Sequence, residues 1–233
     1  MGGFEKKFML FDFPFLFKSK QHAYNTLDGK TGQYVMGLLE KQGLKGLAWY
    51  ENGFRHVTNS RRPIAVPADA KGLKLRTMEN KVHMAIWKAL GADPTPMAWG
   101  EIFTALQQGT VDGQENPIPV IYTSKVYEVQ KHLSLTGHVF SPAMIIMSKA
   151  KFDALPKEYQ TIVLKAAVES ATYQREQITS MENEQAAKLK ELGMTVTTTD
   201  TAALLEATKH VYEQFKGELG ADARLLDEII AGK

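Results

Sequence analysis

The sequence predicts an α/β fold in which strands and helices alternate along the chain. Short apolar or alternating segments, which favour strands, are separated by segments with helical spacing, and glycine or proline marks many of the boundaries. An apolar fraction of 44% in 233 residues supports a core, and the charged fraction of 23% is ordinary. Alternating strands and helices indicate layers joined by βαβ-type connections.

The first quarter of the chain predicts a strand, a helix and a second strand. We expect the apolar residues 8–17 to form a buried strand that ends at a proline turn. Residues 19–42 are predicted to be helical, because Ser19 can cap the start and Gly43 lies just past the end. A strand should follow over residues 43–50, and Asn52-Gly53 is expected to break it.

The middle of the chain contains shorter elements. Residues 73–77 alternate with period two, as a half-buried strand does. The other predicted strands or extended segments cover residues 57–58, 63–66, 92–97, 111–115, 132–136 and 139–147, and the predicted helices cover residues 80–90, 99–108 and 121–126.

The longest predicted helix begins near Pro156 and stops at Gly193. One face of it carries side chains at helical spacing, which we expect to be the packed face: Tyr159, Ile162, Val163, Ala166, Ala167, Ser170 and Tyr173. A helical turn over residues 148–152 precedes it. A strand at residues 194–198 and helices at residues 201–218 and 223–231 complete the chain.

Charge and composition exclude several classes of function. The formal net charge is only +2 and the basic residues are scattered, so neither nucleic acid nor an anionic membrane is an expected partner. The chain has no cysteine, which excludes disulfides and thiolate chemistry. No apolar run approaches the roughly 18 residues of a membrane span. Residues 8–17 include Asp12 and Pro14 and lack a small-residue cleavage site, so we expect no signal peptide.

The sequence contains no recognisable catalytic motif. None of the six histidines has the spacing of a zinc site, and there is no phosphate-binding loop or nucleophile elbow. We therefore expect no metal, no cofactor and no enzyme activity. What remains are polar residues near strand ends, namely Arg55, Arg76 and Asn116. Arginine suits a carboxylate because its planar fork donates two parallel hydrogen bonds. The alternative for Arg55 and for Arg76 is that the residue lies on the surface in a weak ion pair and contacts no ligand.

Three ordered stretches give the chain a resemblance to a known family. They are Asn52–Arg55 with Gly72–Arg76, then Leu90–Trp99 running into Glu101 and residues 105–107, and finally Val111–Pro117 with residues 127–131. These stretches resemble the substrate-binding proteins of tripartite ATP-independent periplasmic (TRAP) transporters, the dicarboxylate-binding family. Weaker similarity extends over nearly the whole chain.

The resemblance implies a two-lobed α/β fold, like that of periplasmic binding proteins, with a hinge and a long helix that spans both lobes. We expect residues 1–52 and 142–181 to form the first lobe, and residues 53–141 and 182–233 to form the second. Family members begin with a signal peptide and further strand–helix units, so the first lobe is expected to be incomplete here. An uncovered strand edge would favour a homodimer.

The resemblance also implies roles for individual residues. Arg76 is similar to the family arginine that grips the substrate carboxylate, and Asn116 to its partner. Arg55 matches an assisting arginine, and Trp99 an aromatic residue against the ligand. Further candidates are two polar residues beyond Arg76 and two residues after the third motif: Glu79, Asn80, Phe140 and Ser141.

The expected function is capture of a small organic acid anion in the periplasm and its delivery to membrane permease subunits, without covalent chemistry. A C4-dicarboxylate, a sugar acid and a hydroxy or keto acid all fit a carboxylate anchor. Three alternatives stay open from the sequence. The first is a module that reports ligand occupancy to a sensor protein. The second is a truncated paralogue with an assembly role and no ligand, and the third is an enzyme that acts on a carboxylate.

Overall fold

The computed structural model describes residue 3 and residues 5–232. The α-helices in that range are α1 (Lys20–Asp28), α2 (Lys30–Gly37), α3 (Lys81–Ala89), α4 (Ile102–Gln107), α5 (Ile118–Thr123), α6 (Lys149–Asp153), α7 (Lys157–Glu191), α8 (Thr201–Thr208), α9 (His210–Lys216) and α10 (Ala223–Ile230). The strands are β1 (Leu44–Asn59), β2 (Lys74–Thr77), β3 (Asp93–Pro96), β4 (Gly113–Pro117), β5 (His132–Leu135), β6 (Phe140–Ser148) and β7 (Thr195–Thr198). The predicted alternation of strands and helices is confirmed.

The apolar segment near the N-terminus is helical, so the predicted strand over residues 8–17 is wrong. Lys6–Phe11 form a 3₁₀ helix, and the chain turns at Pro14. A continuous apolar run has no periodicity that separates a buried strand from a buried helical turn. The helical turn lets two aromatic rings of the segment surround Trp49, with the centroids of Phe8 and Phe11 at 5.8 and 5.4 Å from its ring.

The apolar run of residues 8–17 packs against the C-terminal part of the chain. The ring of Phe13 lies 5.0 Å from that of Tyr212 on α9, and the Tyr212 hydroxyl donates to the carbonyl of Pro14 at 2.8 Å. The C-terminal helices therefore cover part of this apolar run.

The predicted helix over residues 19–42 is divided in two at Gly29. Ser19 caps α1 as predicted, accepting from the backbone N–H of His22. The second helix then packs closely against the end of the first, since a Cβ at Gly32 would lie 1.9 Å from the carbonyl oxygen of Leu27. Only glycine permits this approach of one backbone to another.

Strand β1 is a single 16-residue strand that passes through Asn52-Gly53, where a break was predicted. The two residues instead form an irregularity in the pairing between Glu51 and Gly53. Gly53 has φ of 114°, which a residue with a side chain rarely adopts. The strand continues past this irregularity, because both halves of it have hydrogen-bonded partners.

The two halves of β1 belong to different ladders. Residues Leu44–Phe54 pair antiparallel with β6, whereas Arg55–Asn59 pair antiparallel with β4 and, from Val57, with β5. The strand order is β3-β2-β4-β1-β5-β7, with β6 paired to β1 beside that path. Strand β3 contains Pro94 and Pro96 and lies at the edge, where a missing N–H donor is tolerated.

Helix α7 has 35 residues and crosses β1. Its contact face agrees with the predicted one only in part, because Ala167 and Ser170 of that face contact β1 whereas its largest side chains do not. Ala167 and Ala171 are buried against Ala48, whereas Tyr173 is 64% exposed and Tyr159 and Ile162 are also exposed. Alanine lets the helix axis approach the strand closely, so the larger side chains on the neighbouring face remain uncovered in the part of the chain described.

Among the described residues, two large apolar clusters hold the fold together, besides the small one between α7 and β1. The larger one joins residues of the N-terminal segment and β1 to residues of α3 and the C-terminal helices, such as Phe11, Trp49, Trp87 and Leu226. The smaller one lies under α4 and α5, around Leu106 and Leu189. The larger cluster thus includes residues from both predicted lobes, and the lobe boundaries given above stay a prediction. Among the described residues, no helix has the length and apolarity needed to cross a membrane.

We predict that Phe11→Ala lowers the free energy of unfolding by about 3–5 kcal/mol, because it removes a buried ring that contacts Trp49 and leaves a cavity. Urea denaturation monitored by tryptophan fluorescence measures this change. Tyr159→Ala is the matched control, since Tyr159 is exposed and its loss should change stability by only about 0.5 kcal/mol. Equal effects of the two substitutions would show that the N-terminal segment is not part of the core.

Candidate functional site

Arg76 lies on β2 in the interior of the sheet and is 3% exposed. Its position in the register is beside Thr95 of β3 on one side and Gln114 of β4 on the other. The guanidinium donates from Nε and Nη2 to the carbonyl oxygen of Met97, at 2.8 and 2.6 Å. These two bonds fix the plane of the group and leave Nη1 without a hydrogen-bond partner among the described residues.

The charge of Arg76 is not paired with a carboxylate inside the described part of the chain. Burial lowers its pKa to about 10, with Glu115 opposing and Arg55 adding to that effect. The indole of Trp99 lies 5.6 Å from the guanidinium carbon, a cation–π distance. Because a pKa of about 10 still leaves the group cationic at neutral pH, Arg76 is a buried positive charge available to an anion.

Asn116 is placed close to this arginine by the β4 register. Its Nδ2 donates to Gln114 Oε1 at 2.6 Å, and Gln114 is the register neighbour of Arg76. Its Oδ1 accepts from Nη2 of Arg55 at 3.2 Å. The amide of Asn116 is therefore oriented from both ends, and it connects the neighbourhood of Arg76 with that of Arg55.

Arg55 is buried in an ion pair with Glu115 and is 1% exposed. Its Nε donates to Oε2 of Glu115 at 2.5 Å, and Nη2 donates to Oε1 at 2.8 Å and to the Glu115 carbonyl at 2.6 Å. This two-pronged geometry is the strongest arrangement available to an arginine and a carboxylate. In this structure the guanidinium is thus committed to Glu115 and Asn116.

Two buried histidines complete the surroundings of Glu115. His138 Nε2 lies 3.0 Å from Oε2 of Glu115, and its Nδ1 lies 2.8 Å from the Thr136 hydroxyl. His83 Nδ1 lies 3.8 Å from Oε1 of Glu115. Burial raises the pKa of Glu115, but Arg55, His138 and His83 outweigh it and hold that pKa well below its usual value. Glu115 is therefore ionised at neutral pH.

The other predicted site residues occupy varied positions. Trp99 is 42% exposed and lies beside Arg76. Glu79 is exposed and, together with Asn80 and Ser141, lines a cavity of about 570 Å³. Phe140 is buried among aromatic rings, with its centroid 5.6 Å from that of Phe17 and 5.2 Å from that of Phe54. A ligand contact of Phe140 stays a prediction, and its surroundings are those of a core residue.

Sequence reasoning missed Glu115 and the histidines that contact it. The motif around Asn116 contains Glu115, but a glutamate in a strand carries no signal that it pairs with an arginine 60 residues away. The sequence prediction considered His83 and His138 only as possible zinc ligands. Within the described residues, no group of three or more potential ligands is arranged to hold a metal ion.

Glu115→Gln should lower the free energy of unfolding by about 3–5 kcal/mol, because it leaves the Arg55 guanidinium buried without its counter-charge. Chemical denaturation measures the effect. The control is Glu128→Gln, which disrupts the exposed pair with Lys125 and should cost less than about 1 kcal/mol. A loss below 1 kcal/mol for Glu115→Gln would mean that the ion pair does not stabilise the site.

Known proteins share both the sequence and the fold of this chain. A family model, "DctP: Bacterial extracellular solute-binding protein, family 7", matches residues 1–218. A solute-binding protein of Verminephrobacter eiseniae is 49% identical over 215 residues, which cover 92% of this chain and 64% of the relative. The 2,3-diketo-L-gulonate-binding periplasmic protein YiaO of Escherichia coli K12 is 43% identical over 222 residues, 94% of this chain and 68% of that protein.

A solved structure extends the likeness to three dimensions. It is a TRAP periplasmic solute-binding protein from Polaromonas sp. JS666 bound to D-erythronate, with a TM-score of 0.94 and 48% identity, covering 99% of this chain and 76% of that one. The α/β fold and the family resemblance predicted from the sequence are confirmed, and these relatives are binding receptors rather than enzymes. The chain belongs to the bacterial extracellular solute-binding proteins of family 7.

Proposed function

We propose that this chain binds a small organic carboxylate without changing it chemically. The observation that carries the proposal is the state of Arg76, a guanidinium 3% exposed that lacks a carboxylate partner among the described residues. A buried charge without a partner is costly, and an anion supplied by a ligand relieves that cost. A carboxylate oxygen would accept from the free Nη1 of Arg76.

The neighbouring residues suit a carboxylate that carries further polar groups. Asn116 offers an amide that is already oriented by Gln114 and Arg55, and Trp99 offers an exposed ring beside the guanidinium. Arg55 acts through Asn116, because its own hydrogen bonds go to Glu115 and to that amide. Glu79, which lines the cavity of about 570 Å³, is a candidate for ligand hydroxyl groups, since carboxylate oxygens accept hydrogen bonds from them.

The relatives support an acid with hydroxyl or keto groups as the ligand class. The structure from Polaromonas holds D-erythronate, and the Escherichia coli relative is named for 2,3-diketo-L-gulonate. A sugar acid, a hydroxy or keto acid and a C4-dicarboxylate all present the carboxylate that Arg76 requires. A carboxylate contact alone does not distinguish these acids, so hydroxyl contacts around it would set specificity.

Membership in the family supports the remaining parts of the proposal. The ligand would be captured in the periplasm and delivered to the membrane permease subunits of a TRAP transporter. This chain spans 64% of the length of the Verminephrobacter relative, and delivery to a permease is therefore a proposal about the whole protein. The homodimer expected from the sequence stays a prediction, which the molar mass in solution would test.

The test is a thermal-shift screen of the chain against sugar acids, hydroxy and keto acids and C4-dicarboxylates, followed by calorimetry on the acids that stabilise it. A ligand of the native state raises the melting temperature by mass action. Arg76→Ala should weaken binding by about 2–5 kcal/mol, the cost of removing one partner of a buried charge pair. Arg76→Lys should keep only part of the wild-type affinity, because lysine keeps the positive charge but lacks the planar fork of hydrogen-bond donors.

The control substitution is Arg61→Ala. Arg61 is an exposed arginine that pairs with Asp112, so its loss should leave the affinity unchanged. Unaltered binding by Arg76→Ala would contradict the proposed anchor. A folded wild-type chain that binds none of the acids would contradict the proposed function of these residues.

A further inference from the structure

His83 is a buried histidine that lies between two carboxylates from different parts of the fold. It is on the first turn of α3 and is 1% exposed. Its Nε2 lies 3.4 Å from Oδ1 of Asp12, in the N-terminal segment, and its Nδ1 lies 3.8 Å from Oε1 of Glu115, on β4. These are ion-pair distances rather than hydrogen bonds, since neither ring nitrogen has a hydrogen-bond partner among the described residues.

Asp12 is held from a second side by the same end of α3. Nδ2 of Asn80 donates to Oδ2 of Asp12 at 2.7 Å. Oδ1 of Asn80 accepts from the backbone N–H groups of Val82 and His83, at 2.9 and 3.2 Å, and so caps the helix. Both contacts that Asp12 receives thus come from one helix start, which joins the N-terminal segment firmly to α3.

The charges around Glu115 balance only if His83 is a cation. Arg55 and His83 would then face Glu115 and Asp12, two positive charges against two negative ones. Burial lowers the pKa of His138; Glu115 opposes this effect, while His83 and Arg55 add to it, and the pKa stays below its usual value. His138 therefore adds a neutral donor rather than a charge. Glu115 then has two cationic partners of its own, Arg55 and His83, whereas Arg76 has no carboxylate partner within ion-pair distance among the described residues.

We propose that His83 is a positioning residue of the carboxylate site. As a cation it holds Glu115 and Asp12 together and so fixes the segment that contains Asp12 to the Arg55–Glu115 pair. The charge of Arg76 then stays available to the ligand. This inference rests on the proposed function for its effect on affinity. The claim that His83 is a cation between Asp12 and Glu115 concerns the protein without ligand and is independent of the proposed function.

Because the contact of His83 with Asp12 and Glu115 depends on the charge of the imidazole, it is sensitive to pH. The groups that face its ring are Asp12 and Glu115, while Arg55 and His138 lie beyond Glu115. Burial lowers the pKa of His83, but Asp12 and Glu115 outweigh it and raise that pKa from 6.5 to about 9. A raised pKa adds stability that is fully present below pH 6.5 and is lost as pH rises towards about 9.

The first experiment is an NMR titration of the histidine rings in the full chain, with the His83 signal assigned from His83→Gln. We expect a wild-type pKa well above 6.5, and a lower one in Asp12→Asn. Asp12 is partly exposed, so its amide variant should fold. Asp153→Asn, which alters an exposed carboxylate on α6, is the matched control and should leave the His83 titration unchanged. A His83 pKa at or below 6.5, or one indifferent to Asp12, would overturn the inference.

The second experiment measures affinity for an acid that binds the wild type, at pH 6.5 and at pH 9.5. His83→Gln and Asp12→Asn should weaken binding at pH 6.5 by about fivefold or more, a typical coupling between linked groups. His83→Gln should also flatten the fall in affinity between the two pH values, whereas the exposed control His210→Gln should keep it. Unchanged affinity and pH profile in the folded His83 variant would overturn the effect on the site.

The two experiments separate the two proposals. If no acid binds the wild type, the proposed function fails, and the NMR titration still decides whether His83 is a cation held by Asp12. If acids bind through Arg76 but His83→Gln changes neither affinity nor pH profile, the proposed function stands and the role of His83 fails.

Discussion

Strand β1 is the constraint on which the rest of the structure depends, because among the described strands it is the one that pairs both with β6 and with β4 and β5. Its first half pairs with β6 and carries Trp49, around which the N-terminal segment packs. Its second half pairs with β4 and β5 and carries Arg55. The irregularity at Gly53 lies between the halves, so the core and the candidate site are positioned by one continuous backbone.

The site on the second half of β1 is organised by a buried negative charge. Glu115 draws Arg55, His83 and His138 around it, and this set orients Asn116 through Arg55. Arg76 lies nearby with two hydrogen bonds to a carbonyl and, within the described part of the chain, no carboxylate partner. One arginine is thus used to build the site and the other is left with its charge available, which is an arrangement suited to an anionic ligand.

Periodicity and turn residues predicted most elements, since these depend on neighbours along the chain. The strand over residues 73–77, the helix beginning at Asn80 and the long helix after Pro156 all occur close to the predicted bounds. Errors arose where tertiary contacts decided the outcome. The first part of the apolar run, up to Phe11, belongs to a 3₁₀ helix beside Trp49 instead of a strand. Asn52-Gly53 forms an irregularity within a paired strand, and α7 packs on β1 through alanines.

The sequence by itself determined the α/β class, the family and the residue types suited to a carboxylate, because motifs and periodicity are local properties of the chain. Only the tertiary structure decided which arginine lacks a carboxylate partner among the described residues. Arg55 and Arg76 have the same chemistry, and nothing along the chain shows that Glu115 pairs with the first and not the second. Pairing, burial and the resulting pKa values depend on distances between residues far apart in sequence, and folding alone sets those distances.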